Sequence, residues 1–187
     1  MRQMYLSNVS HPLSSWSIMA VRSYHEREAA MYRNILVPFD GSEPSQRALK
    51  AAIEMSSSSV PVVITVLKVA APMNFDDSTF EVAARMAGVP KIDAAVLSAT
   101  RDNYNNEHRK SVQTQIQGFF ASVPDNIDIQ IVIENGRPQD VICDYANEHG
   151  IDCIAMGRRG LGVIRAALGS VSSAVLRGVD LPVLVVK

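Results

Sequence analysis

This sequence of 187 residues has few cysteines, few aromatic residues and almost no net charge. Its two cysteines, Cys143 and Cys153, exclude a disulfide scaffold and favour a reducing cytoplasm. The formal net charge of -1 argues against a general nucleic-acid binder, and an aromatic content of 6% offers little for stacking on single strands. No run approaches the roughly eighteen apolar residues that span a membrane. We therefore expect a cytoplasmic protein that binds neither nucleic acid nor membrane.

The usual sequence signatures of catalysis are also absent. The four histidines (His11, His25, His108 and His149) are not spaced as metal ligands. There is no Gly-x-Ser-x-Gly elbow, and no Gly-Lys pair for a Walker-type phosphate loop. The adjacent acidic pair Asp76-Asp77 could hold Mg²⁺ beside a nucleotide, although a solvated loop is the simpler interpretation. These absences leave no evident nucleophile or general base, and they favour a binding protein over an enzyme.

The first thirty residues differ in composition from the rest. Residues 1–30 hold six serines and the only tryptophan, and no acidic residue precedes Glu26. We expect a flexible or loosely docked N-terminal extension, or a misassigned start, because Met31 begins a pattern that could form a complete domain. Residues 31–187 are the predicted domain, and the hydrophobic content of 47% is enough for a packed core.

Five short apolar runs alternate with helical patterns from Met31 onward. Near-continuous apolar runs indicate strands that are covered on both faces. The alternation predicts an α/β fold, doubly wound, with a mainly parallel five-stranded sheet and helices on both faces. The predicted strands are 33–39, 61–70, 127–134, 152–156 and 181–187, and the predicted helices follow Ser42 and cover 91–122, 138–148 and 170–177.

Two details of this pattern are less regular. The helix over 91–122 is long, and Asn103 could interrupt it. The stretch 71–90 follows the second strand, so it should project from the carboxyl edge of the sheet.

Ligands of open α/β sheets gather beyond the carboxyl ends of the strands, near the point where strand order reverses. Asp40-Gly41-Ser42 follows the first strand, and the Asp40 carboxylate can accept hydrogen bonds from a ribose or a base. The alternative is that Asp40 only caps the next helix.

A second segment is richer in suitable groups. Glycines at 157, 160, 162 and 169 follow the fourth strand, and a helix then begins at Ser170. Glycines let the backbone N–H groups approach a phosphate, and the helix N-terminus adds free donors. Ser170 and Ser172 could add hydroxyl donors, while Arg158, Arg159 and Arg165 add positive charge. This combination predicts a polyphosphate site, the alternative being a surface loop with solvated arginines.

The chain resembles the universal stress protein family from Met31 to Lys187. The matching segments are 34–43, 136–138, 154–160, 169–172 and 182–186. The resemblance implies a Rossmann-like fold of the adenine-nucleotide α-hydrolase type, with ATP and Mg²⁺ as ligands. The ATP-binding branch carries Gly-x2-Gly-x9-Gly-[Ser/Thr], which Gly157, Gly160 and Gly169-Ser170 match, except that residues 161–168 number eight.

The resemblance also implies roles for single residues. Asp40 and Val69 would flank the adenosine, and Met156 and Gly157 would lie near the ribose. The residues that would hold the phosphates are Gly160, Gly169, Ser170 and Val171. The rest of the predicted cofactor site is Pro38, Arg159 and Ser172.

Family members commonly form dimers through their last strands, which implies a homodimer through strand 183–186. An apolar edge strand also invites pairing on physical grounds, although the chain's own helices could cover it. The resemblance thus implies a dimeric ATP-binding regulator or sensor of the stress response, with at most slow ATP hydrolysis and an unknown protein partner. Two alternatives are a nucleotide-independent interaction module and an adenylating enzyme; the latter usually carries Ser-Gly-Gly-x-Asp-Ser or His-x-Gly-His where this chain has 39–42.

Overall fold

The computed structural model describes residues 32–56, 60–71, 86, 88, 94–120, 123–160 and 168–187. Strands and helices alternate along this part of the chain. In order they are β1 (Asn34–Pro38), α1 (Glu43–Met55), β2 (Val62–Ala70), α2 (Ala94–Phe120), β3 (Ile127–Asn135), α3 (Pro138–Glu148), β4 (Cys153–Gly157), α4 (Ser170–Gly178) and β5 (Val183–Val186).

The five strands form one sheet in the order β3-β2-β1-β4-β5, and every pairing is parallel. Leu36 of β1 lies opposite Thr65 of β2 on one side and Ile154 of β4 on the other. The first of the described strands is therefore the central strand. This arrangement confirms the predicted parallel sheet of five strands.

Residues of β1 alternate between two cores. Ile35 and Val37 belong to the core beneath α1 and α2, which contribute Leu49 and Ile116. Leu36 points to the opposite core, where the residues from α3 and α4 are Ile142 and Val175. Helices therefore cover both faces of the sheet, which is why its strands read as continuous apolar runs.

Helix α1 begins where the sequence predicts it. The Ser42 side chain accepts a hydrogen bond from the Ser45 N–H at 3.3 Å, which satisfies one of the free donors of the first turn. Pro44 occupies the first turn, where its missing N–H costs nothing.

Helix α2 runs without a break from Ala94 to Phe120, so the interruption considered at Asn103 does not occur. Tyr104 packs against the core one residue later, and Val112 and Ile116 are buried at helical spacing further on. Arg109 also donates to the Ile131 carbonyl of β3. These contacts outweigh the weak helix propensity of asparagine.

Residues 1–31 and most of the predicted projection 71–90 lie outside the described residues. Within the described ranges, no helix is long and apolar enough to cross a membrane.

Candidate functional site

A cavity of about 550 Å³ opens at the carboxyl ends of β1 and β4, where the strand order reverses. All eleven residues predicted to bind the cofactor line it, although they come from four separate stretches of the chain. The other lining residues are Phe39, Ser45, Leu67, Pro138, Ile142 and Leu168. The geometry thus collects the predicted residues into one place, and their role in binding stays a prediction.

The Asp40 carboxylate is oriented by the turn that follows it. Its Oδ1 accepts the Ser42 N–H at 3.0 Å, and Gly41 adopts a φ of +86°, which suits glycine. Asp40 is not the helix cap, because Ser42 holds that position. The second oxygen, Oδ2, lies so close to Gly160 that a β-carbon on Gly160 would overlap it. One carboxylate oxygen is therefore fixed by the turn, and the other faces the glycine-rich segment.

Gly157 has a structural neighbour of its own. A β-carbon built on Gly157 would lie 2.8 Å from the Pro44 β-carbon and 2.9 Å from the Pro44 carbonyl carbon. The absence of a side chain lets the end of β4 approach the first turn of α1. Gly157 therefore closes one wall of the cavity.

The N-terminus of α4 forms another wall of the cavity. Its N-cap is Gly169, which has no side chain to satisfy the first N–H groups of the helix. Ser170, Val171 and Ser172 line the cavity at this end, where the helix dipole is positive. This wall has the chemistry of an anion site.

Ser172 differs from its expected role as a donor to the ligand. Its side chain is buried, and its Oγ donates to the Arg158 carbonyl at 2.9 Å, with the Gly169 carbonyl at 3.1 Å. A hydroxyl has a single proton, so these backbone carbonyls already share it. Ser170, by contrast, is exposed at the N-terminus of the helix.

Charge at the described lining comes from Asp40 and Arg159. Two other groups considered from the sequence, Arg165 and the pair Asp76-Asp77, lie outside the described residues. Among the residues that are described, no three His, Cys, Asp or Glu side chains cluster as metal ligands would.

Burial, and then the adjacent Asp152 carboxylate, raises the pKa of the Cys153 thiol to about 11. That thiol is protonated at neutral pH and is not a nucleophile.

Six lining residues were missed by the sequence reasoning, and three of them show why. Leu67 and Ile142 meet across the second core, and Pro138 begins α3 beside them. Their apolar character predicts core positions, and only the packing of β2 against α3 turns them toward the cavity. The sequence signal available was Gly136-Arg137-Pro138, one of the family-like segments.

Comparison with known proteins agrees with this architecture. The model of the universal stress protein family matches residues 31–187. Universal stress protein YxiE of Bacillus subtilis is 25% identical over 158 residues, which cover 84% of this chain and all of the relative. The solved structure of MJ0577, from Methanocaldococcus jannaschii, has a TM-score of 0.62 at 26% identity and covers 84% of this chain and 96% of that one. UspA from Lactobacillus plantarum has a TM-score of 0.60 at 26% identity, over 83% of this chain and 98% of that one. This chain therefore belongs to the universal stress protein family.

Proposed function

We propose that this universal stress protein binds ATP in the cavity between β1, β4 and α4. Binding rather than catalysis is its function, and it acts as a dimeric regulator or sensor in the cytoplasm. The observation that carries the proposal is the convergence of the eleven predicted residues on one cavity at the reversal of strand order.

The phosphate end of ATP fits the wall formed by α4. When bound, ATP would offer the protein two features to recognise, a polyanion and an adenine ring. The N–H groups of Ser170 and Val171 and the Arg159 guanidinium would hold the phosphates.

The nucleoside end fits the wall formed by β2, β4 and α3. Val69, Met156 and Ile142 supply apolar surface for a base, as ligand pockets generally do. Asp40 supplies a fixed acceptor for ribose hydroxyls, in the space that Gly160 leaves open.

The chemistry of the lining supports binding over catalysis. The described lining holds no cysteine and no histidine, and one oxygen of Asp40 is already bonded to the backbone. Slow ATP hydrolysis, where it occurs, would then proceed without a general base from this lining, or would depend on a group from a partner protein. Mg²⁺ would reach this site with the nucleotide.

The first test of the proposal identifies the nucleotide that co-purifies with the protein. Denaturing release followed by mass analysis should find ATP, ADP or AMP in the purified protein. Calorimetry should then show binding of added ATP with Mg²⁺ to the nucleotide-free protein. No heat with ATP, ADP or AMP at millimolar concentration would contradict the proposal.

A matched pair of substitutions then locates the site. Gly160→Ala places a β-carbon against the Asp40 carboxylate, so we expect ATP affinity to fall at least about tenfold, or 1.4 kcal/mol. Gly118→Ala is the control, because Gly118 lies exposed in α2 with nothing within 4 Å of the added carbon. Equal affinities of the two variants would place the nucleotide elsewhere.

The shorter glycine spacing favours a second candidate function. With eight residues between Gly160 and Gly169, the chain could be a dimeric interaction module that works without nucleotide. In that case nucleotide-free protein and the Gly160→Ala variant would capture a partner protein as well as the wild type does. Loss of capture in both would favour the ATP-dependent regulator.

A further inference from the structure

The segment between β4 and α4 is joined at its two ends by hydrogen bonds to one carbonyl group. The Gly169 N–H donates to the Arg158 carbonyl oxygen at 2.9 Å, and the Ser172 hydroxyl donates to the same oxygen, also at 2.9 Å. A carbonyl oxygen has two lone pairs, so these two donors saturate it. We name this arrangement of Arg158, Gly169 and Ser172 the carbonyl clasp.

The carbonyl clasp is attached to the sheet on its other side. The Arg158 N–H donates to the Val186 carbonyl of β5 at 2.6 Å. The peptide groups on both sides of Arg158 are therefore bonded, one to the last strand and one to the start of α4. The oxygen that receives Ser172 is thereby held in position by the sheet.

The start of α4 depends on this clasp because its N-cap residue offers no side-chain hydrogen bond to the first turn. Gly169 has no side chain, and α4 has no side-chain cap hydrogen bond. Ser172 is 2% exposed and lies one turn into the helix, so its hydroxyl ties the helix backward to the end of β4. Side chains in the first turn commonly satisfy the helix's own N–H groups, whereas this one bonds a carbonyl in the preceding strand connection.

We propose that Ser172 is a positioning residue for the phosphate site. It holds the free N–H groups of α4 in their places before ligand binds, and it donates nothing to the ligand itself. This inference rests on the proposed ATP site. The three clasp residues lie outside residues 161–168, and the hydrogen bonds that join them form with the shorter glycine spacing.

Amide hydrogen exchange of the nucleotide-free protein tests the clasp directly. We expect Ser172→Ala to speed exchange of the Gly169 N–H about fivefold or more, the factor that corresponds to one net hydrogen bond. Ser173→Ala is the matched control, since it makes the same chemical change one residue further along α4. The Phe39 N–H, bonded to the Leu67 carbonyl at 2.8 Å, reports any opening of the whole sheet.

The ratio of the Gly169 and Phe39 exchange rates decides the result. A ratio that rises in Ser172→Ala and stays within twofold of the wild type in Ser173→Ala supports the clasp. An unchanged ratio in Ser172→Ala overturns it, because the hydroxyl then contributes only to overall stability or to the ligand.

Ligand binding provides the second readout. Ser172→Ala should weaken ATP about fivefold or more while adenosine affinity stays within twofold, and Ser172→Thr should restore ATP affinity because it retains the hydroxyl. Equal losses for ATP and adenosine would overturn a role at the phosphates. A wild type that binds no nucleotide would contradict the proposed function, whereas the exchange rates of the same protein would still decide whether Ser172 holds the start of α4.

Discussion

Gly157 and Gly160 lie against different neighbours, although only two residues separate them. A side chain on Gly157 would overlap Pro44, while one on Gly160 would overlap the Asp40 carboxylate. Substitution of Gly157 therefore acts on the packing of α1 against β4, and substitution of Gly160 acts on the cavity. In one motif, the first glycine thus serves helix–strand packing, and the second lies against a carboxylate of the cavity.

Cys153 gives a residue-scale prediction about pH. Its thiol is 1% exposed, and burial followed by the Asp152 charge raises its pKa from about 9 to about 11. The folded protein thus holds this proton more firmly than the unfolded chain. The resulting stability is fully present below pH 9 and is lost as the pH rises toward 11.

The prediction compares wild type with Cys153→Ala in urea denaturation at several pH values. Between about pH 8.5 and pH 10.5, the free energy of unfolding should fall by about 1–2 kcal/mol more in the wild type. The substitution lowers stability at every pH by leaving a small cavity, so only the difference in slope is informative. Parallel curves would show that the thiol titrates normally.

Sequence reasoning could select eleven of the lining residues because topology, not contact detail, places them. Asp40 follows one strand and Gly157 ends another, and the carboxyl ends of parallel strands meet at one edge of a sheet. The partner of the Ser172 hydroxyl could not be selected this way. A buried hydroxyl can serve a ligand or the backbone, and only the position of Arg158 relative to α4 decides between them.

At the scale of secondary-structure elements, α1 positions Asp40 and Pro44 against the glycine-rich segment. Its start depends on Ser42, which is 7% exposed and accepts the Ser45 N–H. We expect Ser42→Ala to reduce the free energy of unfolding by about 1 kcal/mol through loss of this cap. Thermal or urea unfolding measures the effect.

Ser42→Thr is the control for this substitution, since threonine retains the capping oxygen and should recover most of the stability. Equal losses in the two variants would show that the site is sensitive to shape rather than to the cap.

Local helix propensity does not predict the continuity of helix α2. Asn103 and its neighbours read as a weak point, yet the helix continues through them. Its continuity follows from contacts made by other residues, such as buried Val112 and the Arg109 bond to β3. By contrast, α3 was predicted to the residue, because Pro138 and Gly150 mark its ends locally, Gly150 with a φ of +62°.

At the scale of the whole molecule, the two edge strands of the described sheet differ. On β3, the Ile131 carbonyl accepts a bond from Arg109. On β5, the Pro182 and Val186 carbonyls accept from β4 and its continuation, so Val185 directs its N–H and C=O away from β4. Leu184 is 38% exposed beside it. We propose β5 as the strand through which two copies pair.

Val185→Pro tests this pairing. Proline removes an N–H that faces outward, and edge strands tolerate it. We expect the dissociation constant of the dimer to rise at least about tenfold, measured by sedimentation, with an unchanged circular dichroism spectrum. Val185→Thr, which keeps the N–H, should dimerise like the wild type. A dimer that survives Val185→Pro would assign the interface to another surface.

The strand order also decides when, during synthesis, the site can form. Chains are made from the N-terminus, and β1, β2 and β3 form a contiguous half-sheet with α1 and α2 on it. The cavity needs β4 and α4, which are made after this half-sheet. A nascent chain that stops before Ser170 thus has its first core but no place for a nucleotide. Any stabilisation by the ligand would reach only completed copies, so bound nucleotide would mark a finished chain.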